Sequence, residues 1–344
     1  MNEIPRITVR SIGLSSPESQ EEIERHTLYV FAQRSASFKT SLLSAELSHE
    51  VSTQLKTIEE AAKEELTRKM RSLGVHNVSE RLPEIQYVAP VSKDDYQKTG
   101  YYHTAYHLPV IVVGGTSSDI VDLGSFIMHE LSHTSTSSEI KLLFQNGKIV
   151  NSGGVTGMEV GGGNFSTLAS GIENGLAVAD QVDFFRDYLS IHFPKDYNKR
   201  LEWYEKRKRR PDYQKIDKSI FGPIYKEATL PFLYPANVRL PLNIQFSHPA
   251  LDINSLKNYL MVNRLCEVIG NYLIAHNSLI LPKNEAAKIG RNFLDEYRYK
   301  RSNDAHSVIV RIFRGRDAKI LFSAGDRMEN IDHAMKVISS KEKR

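Results

Sequence analysis

Three side chains of this sequence, His129, Glu130 and His133, have the types and spacing for metal-assisted acid–base chemistry. They stand in the run Ser125–Thr136, SFIMHELSHTST, as an H-E-x-x-H pattern. On a helix, positions i and i+4 lie about 40° apart around the axis and one turn apart along it. Two imidazoles so placed can hold one metal ion between them. Glu130 projects from the neighbouring flank, within reach of a water on that metal, where a carboxylate serves as general base. The pattern implies a single zinc ion, with His129 and His133 as ligands.

Such residues need a helix to carry them. Ile120, Leu123, Ile127 and Leu131 recur at helical spacing, which predicts a largely buried helix through the motif. Ser117 or Ser118 can cap it, and Asp119 and Asp122 suit its positive N-terminal end. A catalytic zinc takes a third protein ligand and keeps a fourth position open. The run Phe165–Val182, FSTLASGIENGLAVADQV, reads as a second apolar helix, with Glu173, Ala177 and Asp180 on one face. Glu173, Asn174 and Asp180 are its oxygen-bearing candidates. A neutral amide is a poor zinc donor, so Asn174 ranks last. Glu173 is the expected third ligand, and its alternative is an ordinary helix carboxylate. Asp180 lies roughly 10 Å further along the axis, expected as a partner that orients a ligand or as a surface charge.

The connections supply further expectations. Glu84–Val88 is a short β-prone run. Leu108–Val113 reads as a strand just upstream of the motif helix, either a sheet edge along which an extended substrate pairs or an interior strand. Asn146-Gly147 predicts a hairpin turn within Leu142–Val150. The glycine-rich stretch Gly153–Gly163 lacks the ending of a phosphate loop and the dinucleotide fingerprint. It is expected to be a mobile loop or ribbon near the site, a flap over the cleft.

With 344 residues, 40% hydrophobic and 25% charged, the chain has the composition of an ordinary globular protein. Three regions are expected: a helical, solvent-facing N-terminal part (1–78), a catalytic core (79–182) and a mostly helical C-terminal part (183–344). The one cysteine, Cys266, excludes an internal disulfide and is expected to be buried filler. No signal peptide and no membrane-length apolar run is read, so a cytoplasmic location is expected. Net charge is +4, too little by itself to imply nucleic acid. The basic run Lys206–Arg210 is read as a solvated insertion, with a nucleic-acid or acidic-partner patch as the alternative. Val308–Phe313 suits either helix or strand.

On H-E-L-S-H and the Glu173 helix, with a β-prone run and Tyr101-Tyr102 upstream and a glycine-bearing hairpin between, the chain resembles the gluzincin metallopeptidases over roughly residues 84–182. It is most similar to their compact minigluzincin type. The resemblance implies an α+β, zincin-like fold, predominantly helical, with a small mixed sheet next to the H-E-x-x-H helix. It implies a zinc peptidase acting on a peptide or protein substrate, with Glu130 passing the proton of a water to the leaving amine. A downstream donor is implied for the oxyanion, and Tyr225, Tyr234, His248 and Tyr259 are its candidates. An inactive or regulatory zincin-fold binding protein is the alternative function.

Overall fold

The computed structural model describes residues 7–342 apart from 13, 15, 77, 79–80, 90–99, 104–107, 114–118, 147, 163–164, 209–213, 215, 217, 222–225, 235–249, 277–284, 302 and 326–327. Among the described residues the chain is predominantly helical, with two small mixed sheets and a two-stranded pair.

Two long helices follow strand β1 (Ile7–Ile12). The first, α1 (Pro17–Ser41), starts on the side chain of Ser16 and buries none of its residues. The second, α2 (His49–Ser72), is capped by Ser48 and buries Leu55, Ile58, Ala62, Leu66 and Met70, one stripe at helical spacing. It ends at Gly74, whose φ of 78° suits glycine. Of its charges, Glu60, Glu64 and Arg68 are solvated as expected, while Lys69 turns inward to Asp180 and Asp295. Its apolar stripe packs on the motif helix, so α2 lies across the expected catalytic region with one face and is solvent-facing only on the other.

Strands β2 (Gln86–Val88), β3 (Gly100–His103) and β4 (Leu108–Val112) form a sheet in the order β2-β4-β3. It lies beside the motif helix, where a small mixed sheet is expected. β4 is central, parallel to β2 and antiparallel to β3. All five of its residues are buried. The interior alternative therefore holds, and β4 offers no free edge to a substrate. A strand apolar on both faces is covered on both faces.

The motif helix, α3 (Ile120–Thr134), is capped by Asp119, which accepts from the Val121 N–H at 2.8 Å. Ser117 and Ser118 lie outside the described residues. Asp122 is paired instead with the fully buried Arg200. Then β5 (Ser138–Gln145) and β6 (Lys148–Thr156) form the expected hairpin, with Asn146 at φ 53°. β7 (Glu159–Gly162) and β8 (Phe165–Leu168) continue a five-stranded sheet, β1-β5-β6-β7-β8, in which only β1 and β5 run parallel. The glycine stretch is thus a paired ribbon and not a loop over the cleft: Gly153 faces Gly162 and Gly154 faces Gly161. Glycine removes side-chain packing but leaves the backbone ladder intact, and the ladder decides here.

Helix α4 (Ser170–Phe184) begins later than its apolar pattern suggests, because Phe165–Leu168 is drawn into β8. After a π-helical turn at Phe185–Leu189 come α5 (Pro194–Arg207), α6 (Ile253–His276), α7 (Ala286–Lys300), α8 (Ala305–Phe313), α9 (Gly315–Phe322) and α10 (Met328–Glu342). Val308–Phe313 is therefore helical. Helices α6 and α7 pack most closely, through Gly270 and Gly290. A Cβ on either would come within 1.8 or 1.9 Å of a carbonyl oxygen across the interface. Cys266 is buried there as filler. One continuous hydrophobic cluster runs from Leu55 through α3 and α4 to Ile338. Among the described residues no helix is long and apolar enough to cross a membrane.

Candidate functional site

Helices α3 and α4 pack together in opposite senses, so the end of α3 meets the start of α4. His133 Nδ1 lies 3.5 Å from Glu173 Oε1. One turn earlier, the His129 ring sits 4.8 Å from that of His133, at an interplanar angle of 78°, and hydrogen-bonds to the side chain of Gln181. The spacing expected from the sequence is realised, and Glu173, not Asn174 or Asp180, is the carboxylate beside the pair. Both histidines keep part of their surface exposed, while Glu130 and Glu173 are buried.

The protonation states follow from burial and charge. Burial, then the neighbouring His133, pulls His129 down to about 3, so its ring is neutral at ordinary pH. Burial pushes Glu130 up to about 7, where a carboxylate takes and returns a proton with little driving force. His133 is also pulled down by burial, but the hydrogen bond and charge of Glu173 outweigh this and raise it. Glu173 is pushed up by burial, yet the charge and hydrogen bonds of Arg298 and His133 together outweigh this and hold it down at about 2.

Glu173 has partners the sequence does not announce. Arg298 of α7 donates to Oε1 from Nη2 at 2.6 Å and from Nε at 3.0 Å. The Met158 N–H, in the turn between β6 and β7, donates to Oε2 at 2.6 Å. That turn is braced in its own right. Arg301 donates to the Gly157 carbonyl, and His306 Nε2 meets the Met158 carbonyl at 2.9 Å. Arg298 and Arg301 stand at the basic end of a helix, where cations are ordinary. The one sequence signal is the stripe Arg291, Asp295 and Arg298 on one face of α7, which read alone suggests a solvated surface.

Asp180 is buried, so it is no surface charge, and its contacts are to the residues around the pair. It accepts from Ser132 Oγ, Lys69 Nζ and Arg291 Nη2 at 2.6, 2.6 and 2.7 Å. Burial pushes its carboxyl up, but Lys69, Arg291 and Arg298 together hold it well below the usual carboxylate range. Lys69 also pairs with Asp295 at 2.7 Å. Because Ser132 lies inside the motif, this buried charge network directly underlies α3.

The donor chemistry fits a zinc ion: a neutral imidazole, an ionised carboxylate and a second imidazole beside it. The buried His129 Nδ1 has no hydrogen-bond partner, an unmet demand of the kind a ligand satisfies. Among the described residues, however, no three His, Cys, Asp or Glu side chains converge into a metal-holding group.

The other expected site residues are dispersed. Tyr225 and His248 lie outside the described residues, as does the side chain of Tyr234. Tyr259 faces Asn263, Asp183 and Arg186. Asp183 is roughly 15 Å along α4 from Glu173, so these neighbours do not bring Tyr259 to the histidine pair. In the basic run Lys206 is exposed and Lys208 pairs with Glu205, while Arg209 and Arg210 lie outside the described residues. No protein-family model, no curated protein and no solved structure matches this chain.

Proposed function

We propose that this chain is a zinc-dependent peptidase of the gluzincin type, with a zincin-like core, acting on a peptide or protein substrate. The observation that carries the reading is the approach of Glu173, from a separate helix, to within 3.5 Å of His133 in an H-E-x-x-H pair. His129, His133 and Glu173 are the residues that would hold the metal. When bound, zinc supplies a Lewis acid that polarises a carbonyl and acidifies water. The chain's own part is proton transfer. Glu130, one residue from His129 and buried, accepts a proton at its carboxylate and returns it to the departing amine. Its position on the rigid α3, locked by Asp122–Arg200 and Ser132–Asp180, fixes its direction.

A second reading, a fold that binds without turnover, draws on one observation: Arg298 and the Met158 N–H already occupy Glu173. One experiment separates the two. Wild type and Glu130→Gln are analysed for metal and incubated with a peptide library. The peptidase reading expects equal zinc in both and hydrolysis slower by about 10²–10⁴-fold in Glu130→Gln. Equal cleavage by both proteins rejects Glu130 as the base. Zinc in the wild type with no cleavage favours binding without turnover.

A further inference from the structure

We infer that Arg298 is a positioning residue for the metal site: with the Met158 N–H it fixes the direction of Glu173 towards His133, so that α7 sets how well the site takes a metal. This rests on the zinc reading above and adds what that reading leaves open, namely what orients the third ligand.

Arg298 meets Glu173 as a fork. Nη2 and Nε both address Oε1, and Nε also reaches Oε2 at 3.1 Å. The Met158 N–H takes Oε2, while Oε1, held by Arg298, also faces His133 Nδ1. A carboxylate so gripped has lost its rotation about the terminal bond. The guanidinium is equally fixed. Its Nη1 reaches Asp295 at 3.3 Å and Asp180 at 3.4 Å, and its Nη2 reaches Ser132 Oγ at 3.2 Å. Arg298 thus touches both α3 and α4 while itself lying at 0% exposure. Partners behind a metal ligand commonly govern its affinity by orientation.

The β6–β7 turn is shaped to the same carboxylate. A Cβ at Gly157 would fall 2.1 Å from Glu173 Oε2, and the positive φ of 56° there also suits glycine. Any other residue must push Glu173 off its mark. Arg298 and Gly157 therefore act on one carboxylate from two separate elements, which gives two independent ways to move it.

The test uses the full chain. Zinc affinity is read by competition with a chromophoric chelator, ligand geometry by the visible spectrum of the Co²⁺-loaded protein, and folding by thermal melting of the metal-free protein. Arg298→Lys keeps the charge and loses the fork; Gly157→Ala displaces the carboxylate. Each is expected to weaken zinc binding by roughly 10–100-fold and to change the Co²⁺ spectrum. Lys69→Met is the control: it breaks the same buried network at Asp180 and Asp295 without touching Glu173. It should melt earlier yet bind zinc like wild type. If Arg298→Lys does not fold, Gly157→Ala decides alone. Wild-type affinity in both variants overturns the inference while leaving the zinc reading intact. A wild type that takes up no zinc, or takes it up equally after His129→Ala, overturns the zinc reading and this inference with it.

Discussion

Helices α3 and α4 carry two polar clusters side by side, and they differ in how far their demands are met. Around Asp180, three cations and two carboxylates pair within the fold: Lys69, Arg291 and Arg298 against Asp180 and Asp295. Around the histidines, His129 Nδ1 is buried and unpartnered, and Glu130 is raised by its burial. A saturated cluster serves stability, whereas an unsaturated one of the same depth costs the fold something unless a ligand meets it. The difference separates the part of this interface that holds the helices together from the part on which the proposed function draws.

The comparison can be broken first by removing a member of each cluster. Asp180→Ala leaves Lys69, Arg291 and Arg298 short of a counter-charge in the core, and should cost about 3–5 kcal/mol in urea unfolding of the metal-free protein. His129→Ala removes a group whose Nδ1 already lacks a partner and should cost far less. Equal losses would mean that the histidine pair is as structural as the network.

It is sharpened next by pH. The Glu130 carboxyl is raised from 4.5 to about 7 in the folded chain. Between these values the unfolded chain releases a proton that the folded chain keeps. The stability it contributes is full below 4.5 and lost as pH rises through 7. The rise corresponds to roughly 3 kcal/mol as an upper figure. Metal-free wild type should therefore lose stability from pH 4.5 to 7 relative to Glu130→Gln. A constant difference between the two across this window would show that Glu130 ionises as in solution.

The smallest effect concerns the ribbon that touches Glu173. Paired in β6 and β7, the amides of Gly153–Val155 should exchange slowly without any ligand, because opening them requires breaking a ladder. Fast exchange in the free protein, slowed by a zinc-directed inhibitor, would restore the flap.

What the sequence alone determines here is local. The i, i+4 spacing of His129 and His133, the stripe on α2, and the Asn146-Gly147 turn are set by backbone geometry within a few residues, so their patterns are legible without a partner. That Glu173 is the oxygen donor of its helix that comes next to His133 was also to be expected, since few such donors stand on that helix. The tertiary structure alone decides the rest. β4 lies between two strands rather than at an edge, Asp180 is buried, and the glycine stretch is a ribbon. Arg298, 125 positions from Glu173, is the clearest case. A charge on an amphipathic helix looks the same in sequence whether it faces water or a buried carboxylate. Only packing, which balances desolvation against a specific counter-charge, assigns it to one or the other.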